Sequence, residues 1–182
     1  LEPPDYSVNG RKRCPTSHCS RENVMPKPIT PCIWFDNQAE EAANYYVTVF
    51  KNSKVTNVDR YTDEEPDPNG PVVYVEFEIN GQPFAALNGG PIFTLSEAIS
   101  FVIEVADQAE LDFYWDTLIN DGGEASECGW LKDKYGVSWQ VVPTALNDML
   151  RSPDRKRGGQ AMRKMLSMQK LNIDELQAAY DA

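Results

Sequence analysis

The fold is decided by two stretches, ITPCIWFD at 29–36 and SFVIEVAD at 100–107. Each is a short apolar run of strand character that closes on an aspartate, Asp36 and Asp107. Each is followed by an acidic, alanine-bearing stretch with helical spacing and an aromatic cluster: Tyr45, Tyr46 and Phe50 in the first, Phe113, Tyr114 and Trp115 in the second. The offset is 107 − 36 = 71 residues. A repeat of that length is one supersecondary unit whose apolar face needs a partner, so two copies are expected to pack together.

Working outward, the chain spells strand–helix–strand–strand–strand twice. In the first copy, strands are expected at 30–35, 54–61, 72–79 and 82–88, with a helix at 37–50 capped by Asp36. Residues 72–79 alternate apolar Val73, Val75, Phe77 and Ile79 with Tyr74, Glu76 and Glu78, and Asn80-Gly81 is a strong hairpin signal. In the second copy, a strand at 99–105 leads to a helix at 108–119 capped by Asp107. Strands near 128–132 and 137–142 follow, and one further strand has no clear place. Residues 144–182 fall outside the repeat and hold two expected helices, 154–169 and 173–180. Gly158-Gly159 weakens the start of the first by about a kilocalorie per glycine. The fold class is therefore α+β: two tandem βαβββ units with a C-terminal helical extension. The units span about 28–90 and 98–143, and the helical tail 144–182.

Residues 1–24 differ in composition, rich in Pro, Ser, Asn and Arg without periodicity, and read as a disordered extension. Met25 reads as the natural start, which gives a folded domain of 25–182. Cys14, His18 and Cys19 crowd together there, but a structural zinc site needs a second spaced pair, so no metal is expected. Cys32 is expected to be a small buried thiol in the first strand.

Acidic residues exceed basic ones by 28 − 17 = 11, and the pI is near 4.5. Such a surface repels phosphate backbones and anionic lipid, so neither nucleic acid nor membrane is an expected partner. With no bilayer-spanning apolar run, a cytoplasmic location is expected.

The two-unit pattern resembles the vicinal oxygen chelate superfamily, which includes glyoxalase I, bleomycin-resistance proteins and extradiol dioxygenases. The resemblance is closest to its PhnB-like branch, often labelled 3-demethylubiquinone-9 3-methyltransferase-like. It is carried by ITPCIWFD with QAEEAANYY (38–46), by VEFEINGQPFAALNGGP (75–91), by GWLKDKYGVSWQVVPTAL (129–146) and by MLSMQKLNIDEL (165–176). It implies curved sheets that form a cup around a ligand, and a homodimer that covers exposed sheet edges. In metal-using members, ligands lie seven residues before each strand-closing aspartate and near the end of the fourth strand of each unit. Here those positions carry Ile29, Ser100, Asn88 and Gln140, and the one histidine of the chain, His18, is in the extension. Ile cannot ligate a metal, Ser is poor, and Asn and Gln are weak. The metal centre is read as lost, and no cofactor is expected.

Strand alternation places Ser100, Val102 and Glu104 on one face, and Tyr74, Glu76 and Glu78 on another. Glu76 and Glu104 are candidate acid/base groups if they line the cup. The competing reading is a solvated polar face of the ordinary kind. Trp34 and Trp139 are assigned by parity to the helix-facing core, with Trp130 open to either side. The sequence-level expectation is a metal-free small-molecule-binding protein that contacts its ligand through Tyr74, Asn88, Ser100 and Gln140. The alternative is a lyase, isomerase or transferase of the same fold. A methyltransferase label implies an adenosylmethionine site, and the sequence carries none of the glycine-rich strand-to-helix loops usually built for it.

Overall fold

The computed structural model describes residues 29–61, 65, 67 and 69–182. The extension with its Cys14–His18–Cys19 group, and residues 62–64, 66 and 68 of the acidic loop 62–71, lie outside them.

The first unit comprises β1 (Cys32–Phe35), α1 (Ala39–Val49), β2 (Lys54–Arg60), β3 (Val72–Ile79) and β4 (Gln82–Asn88). The second comprises β5 (Phe101–Val105), α2 (Gln108–Ile119), β6 (Glu124–Ala125), β7 (Trp130–Lys132) and β8 (Ser138–Pro143). Then come α3 (Thr144–Leu150), α4 (Arg155–Met165) and α5 (Ile173–Asp181). The sheets are four-stranded and share one topology: β1-β4-β3-β2 in the first, β5-β8-β7-β6 in the second. In each, the first strand pairs in parallel with the last and the remaining pairs are antiparallel. The α+β class and the doubled unit read from the sequence are both present. No barrel closes, and among the described residues no strand of one sheet pairs with the other.

The β3–β4 hairpin has the expected bounds because Asn80 and Gly81 both hold positive φ, 50° and 78°, as a tight primed turn requires. The strand without a clear place is β6, only two residues long. Positive φ at Asp121, Gly122, Cys128 and Gly129 turns the chain on either side of it. One helix, α3, was not anticipated: it leaves β8 directly at Pro143–Thr144, with no turn residues to announce it.

The helix-covered faces of the two sheets meet in one apolar core. From the first unit come Tyr46, Phe50, Phe77 and Phe84; from the second, Leu111, Tyr114, Leu118 and Trp139, all buried. Phe50 stacks on Tyr114 at 5.3 Å and on Trp139 at 5.2 Å, and Phe84 meets Phe101 edge-on at 5.2 Å. Tyr45 Oη also donates to the Thr117 carbonyl of α2 at 2.8 Å. Each sheet therefore keeps its other face uncovered within the chain. In the tail, Gly158 sits inside α4 despite its helix cost. A Cβ there would stand 3.0 Å from the Met149 carbonyl oxygen, so glycine permits the close approach of α4 to α3.

Candidate functional site

On the uncovered face of the first sheet, one cross-strand row runs Trp34, Leu87, Tyr74, Asp59 and the next runs Cys32, Ala85, Glu76, Asn57. Tyr74 is half-buried and Glu76 exposed. The Tyr74 phenol is held above its ordinary pKa, first by desolvation and then by the nearby Cys32, Glu76 and Asp59. Trp34 was expected in the core. Instead Ile33 and Phe35 are the buried residues of β1, which turns Cys32 and Trp34 outward by alternation. The indole lies on Gly89, donates from Nε1 to the Gly90 carbonyl at 2.8 Å, and meets Phe93 edge-on at 4.9 Å. Cys32 is exposed rather than buried.

Asn88 stands on the opposite, helix-facing side with Phe35 and Ala86. Its Oδ1 accepts from Ala39 N–H at 2.8 Å, and its Nδ2 donates to the Val72 carbonyl at 3.0 Å. It thus supplies the cap of α1 that Asp36 was expected to give. The residue at the cap position is Gln38, whose side chain makes no capping bond.

The uncovered face of the second sheet brings two of the expected residues into contact. Gln140 Nε2 donates to Ser100 Oγ at 2.8 Å. Val102, 56% exposed, lies opposite Gln140, and Gln140 lies opposite Trp130. Glu104 is exposed opposite Val142 and accepts from Asn147 Nδ2 at 3.0 Å. Tyr74 and Glu76 therefore sit together on one sheet, Ser100, Glu104 and Gln140 on the other, and Asn88 on neither uncovered face.

The four metal-ligand positions do not fit a divalent cation. Ile29 has no donor atom and is 93% exposed, both polar ends of the Asn88 amide are in use, and Ser100 and Gln140 are neutral and bonded to each other. Among the described residues, no group of three His, Cys, Asp or Glu side chains could hold an ion. Of the Gly-Gly pairs, Gly89-Gly90 enters the inter-unit linker, Gly122-Gly123 forms a turn and Gly158-Gly159 lies inside α4. Among the described residues, none of these pairs joins a strand to a helix N-terminus.

Two features escaped the sequence reading. Asp133, 3% exposed, is the joint between units. Its Oδ2 accepts from Tyr46 Oη at 2.7 Å and from Trp139 Nε1 at 2.8 Å; its Oδ1 accepts from the Tyr135 and Val137 backbone N–H groups. Burial raises its pKa above the ordinary carboxylate value, and the four donors pull it part of the way back. The signal was present in DKYG, an aspartate poised to bond its own backbone two residues on. The second feature is a cleft of about 830 Å³ between the β3–β4 turn and β5–α2, floored by Phe50, Phe84, Phe101 and Trp139, with Glu104 among its lining residues.

Two four-stranded βαβββ sheets with paired helical faces define a glyoxalase-like architecture. Residues 27–142 match the family model described as 3-demethylubiquinone-9 3-methyltransferase. A PhnB protein from Bacillus cereus is 32% identical over 65% of this chain and 100% of its own, with a TM-score of 0.58. A protein from Pseudomonas aeruginosa is 19% identical over 63% of this chain and 96% of its own, at a TM-score of 0.52, and shares the fold. A glyoxalase/bleomycin resistance protein from Albidiferax ferrireducens is also similar, 12% identical over 63% of this chain and 95% of its own, at 0.42. No curated protein matches. The chain belongs to the 3-demethylubiquinone-9 3-methyltransferase family and is PhnB-like.

Proposed function

We propose that this chain is a metal-free small-molecule-binding protein that acts as a homodimer, with the ligand held between uncovered sheet faces of two copies. One observation carries the reading. The helical faces are consumed inside the chain, while the opposite faces expose Cys32 and Val102 and leave Trp34, Leu87, Trp130 and Val142 half-covered. Apolar side chains in such numbers on an open sheet mark a surface that meets a partner or a ligand. A second copy can lay its second sheet over the first sheet of its mate, and the same contact repeats by symmetry. Tyr74 and Glu76 would then face Ser100, Glu104 and Gln140 across a shared cup. The unsuitability of the four ancestral ligand positions supports binding without an ion.

Elemental analysis and a thermal-shift ligand screen test this. Substoichiometric zinc, nickel, manganese and iron are expected, with at least one small organic molecule that stabilises the fold. A saturating binder adds about 2.7 kcal/mol at a hundredfold excess over its dissociation constant. Stoichiometric metal in active protein would reject the metal-free part.

The Glu104–Asn147 contact favours a second reading, a lyase, isomerase or transferase. A carboxylate held by an amide 43 residues away has the fixed orientation that a general base needs. The family description supports a transferase among these. Under this reading Glu104→Gln abolishes turnover of a ligand found in the screen and leaves its binding intact, and Glu76→Gln does the same if Glu76 is the base. Turnover unaffected in both variants removes the acid/base role.

A further inference from the structure

The charges on the two sheets do not balance. Their eight strands carry the carboxylates Asp59, Glu76, Glu78, Glu104 and Glu124 and the cations Lys54, Arg60 and Lys132. Every one of those cations is already paired: Lys54 with Glu78, Arg60 with Glu40 of α1, and Lys132 with Glu97 of the inter-unit linker. Asp59 and Glu104 accept from neutral amides, Asn57 Nδ2 at 3.0 Å and Asn147 Nδ2 at 3.0 Å. Glu76 has no ion pair and no hydrogen bond among the described residues.

While the faces are open, water solvates these carboxylates. A second copy laid over them removes that water, and an enclosed carboxylate without a countercharge is strongly disfavoured. The residues set to face Glu76 are Ser100, Glu104 and Gln140, so the partner brings a hydroxyl, an amide and a further carboxylate, and no cation. The missing charge is one that a ligand can carry in. The apolar part of the faces suits the same kind of molecule. Trp34 and Tyr74 share one cross-strand row, next to the row that holds Glu76, and Trp130 lies opposite Gln140 on the other sheet. Indole and phenol rings attract an organic cation through their quadrupoles. A metal ion needs several converging oxygens, and among the described residues no group of three His, Cys, Asp or Glu side chains could hold one. Carboxylates spread singly over two sheets, with aromatic rings between them, fit a diffuse organic charge.

We infer that the shared cup takes a small organic cation, an ammonium group on an aromatic or branched apolar body. Glu76 is its principal countercharge, and Trp34, Tyr74 and Trp130 surround the body. This rests on the shared cup proposed above and adds the chemical class of what the cup holds.

Probes of similar size and different charge test it: (3-hydroxyphenyl)trimethylammonium, its uncharged carbon counterpart 3-tert-butylphenol, and 3-hydroxybenzoate. Binding to the full chain is measured by isothermal titration calorimetry at near-physiological ionic strength, with the mass followed in parallel by sedimentation equilibrium. The wild-type dimer should bind the cation about tenfold more tightly than 3-tert-butylphenol, and 3-hydroxybenzoate more weakly than either. Glu76 is exposed, so Glu76→Gln should leave the melting temperature unchanged. It should weaken the cation by about tenfold and leave 3-tert-butylphenol as it was. Asp174→Asn makes the same change in net charge at an exposed position on α5, outside both sheets. It should alter the cation by less than about twofold, which separates a local countercharge from the general field of a chain at −11. A dimer that binds either other probe as tightly as the cation, or binds none of the three, would overturn the cationic assignment and leave the cup in place. A preference for the cation that survives Glu76→Gln would overturn the role of Glu76. A chain that stays monomeric at saturating cation would remove the cup, and this assignment with it.

Discussion

The two units start their helices in different ways. In the second, the sequence closes the end of α2 by itself. Asp107 Oδ1 accepts from Glu110 N–H at 2.9 Å, and Glu110 Oε2 accepts in return from Ala106 N–H at 2.9 Å. This resembles a capping box, with the return bond made to the residue before the cap. In the first unit Asp36 stays outside, and the open N–H of Ala39 is met by Asn88, 49 residues along the chain at the end of β4. One helix is therefore punctuated locally. The other is punctuated only once its sheet has formed, so its start depends on tertiary structure. The Asn88 amide, expected from the sequence at a ligand position, is thus spent on holding the first unit together, while Ser100 and Gln140 bond each other on the uncovered face of the second.

The largest effect is expected at the joint between the units. Asp133→Ala leaves four donors from both units without an acceptor and should cost about 4 kcal/mol in denaturant unfolding. The raised pKa of Asp133 has a consequence for pH. The folded protein binds this proton more tightly than the unfolded chain does. The contribution is therefore full below the ordinary carboxylate pKa and lost as pH rises through the raised folded value. Relative to Asp133→Asn, the wild type should gain stability toward acid across that window, as paired melts in a pH series would show. Within the first unit, Gly89→Ala places a Cβ 2.1 Å from the Trp34 ring. It should cost about 2 to 3 kcal/mol and change the Trp34 fluorescence. Asn88→Ala removes the distant cap and the bond to Val72, for about 1.5 kcal/mol, with amide exchange accelerated in the first turn of α1. Asp107→Ala in the second unit should cost about 1 kcal/mol and stay confined to α2. An Asn88→Ala effect no wider than that of Asp107→Ala would contradict the contrast between distant and local capping.

What the sequence made legible follows the same division. β3, β4 and α2 have the expected bounds because Asn80-Gly81 and Asp107 act on their immediate neighbours. The start of α1 was misplaced because its cap comes from another strand. Trp34 was misassigned because in a four-residue strand the face is set by which neighbours reach the core, and Ile33 and Phe35 do. α3 went unread because Pro143 ends a strand and precedes a helix with nothing between them. For the site, alternation placed Ser100, Val102 and Glu104 on one face, while the contact between Ser100 and Gln140 follows from the pairing of β5 with β8, which alternation alone does not state. The role of Asn88 and the joint at Asp133 depend on how the units meet, which no local pattern encodes.

The central claim is that the uncovered faces meet across a second copy. Sedimentation equilibrium at tens of micromolar tests it directly, with Val102→Glu as the companion variant. The account predicts twice the chain mass of 20.5 kDa for the wild type, and a monomer that stays folded for Val102→Glu. A wild-type protein that sediments at the mass of one chain would contradict it.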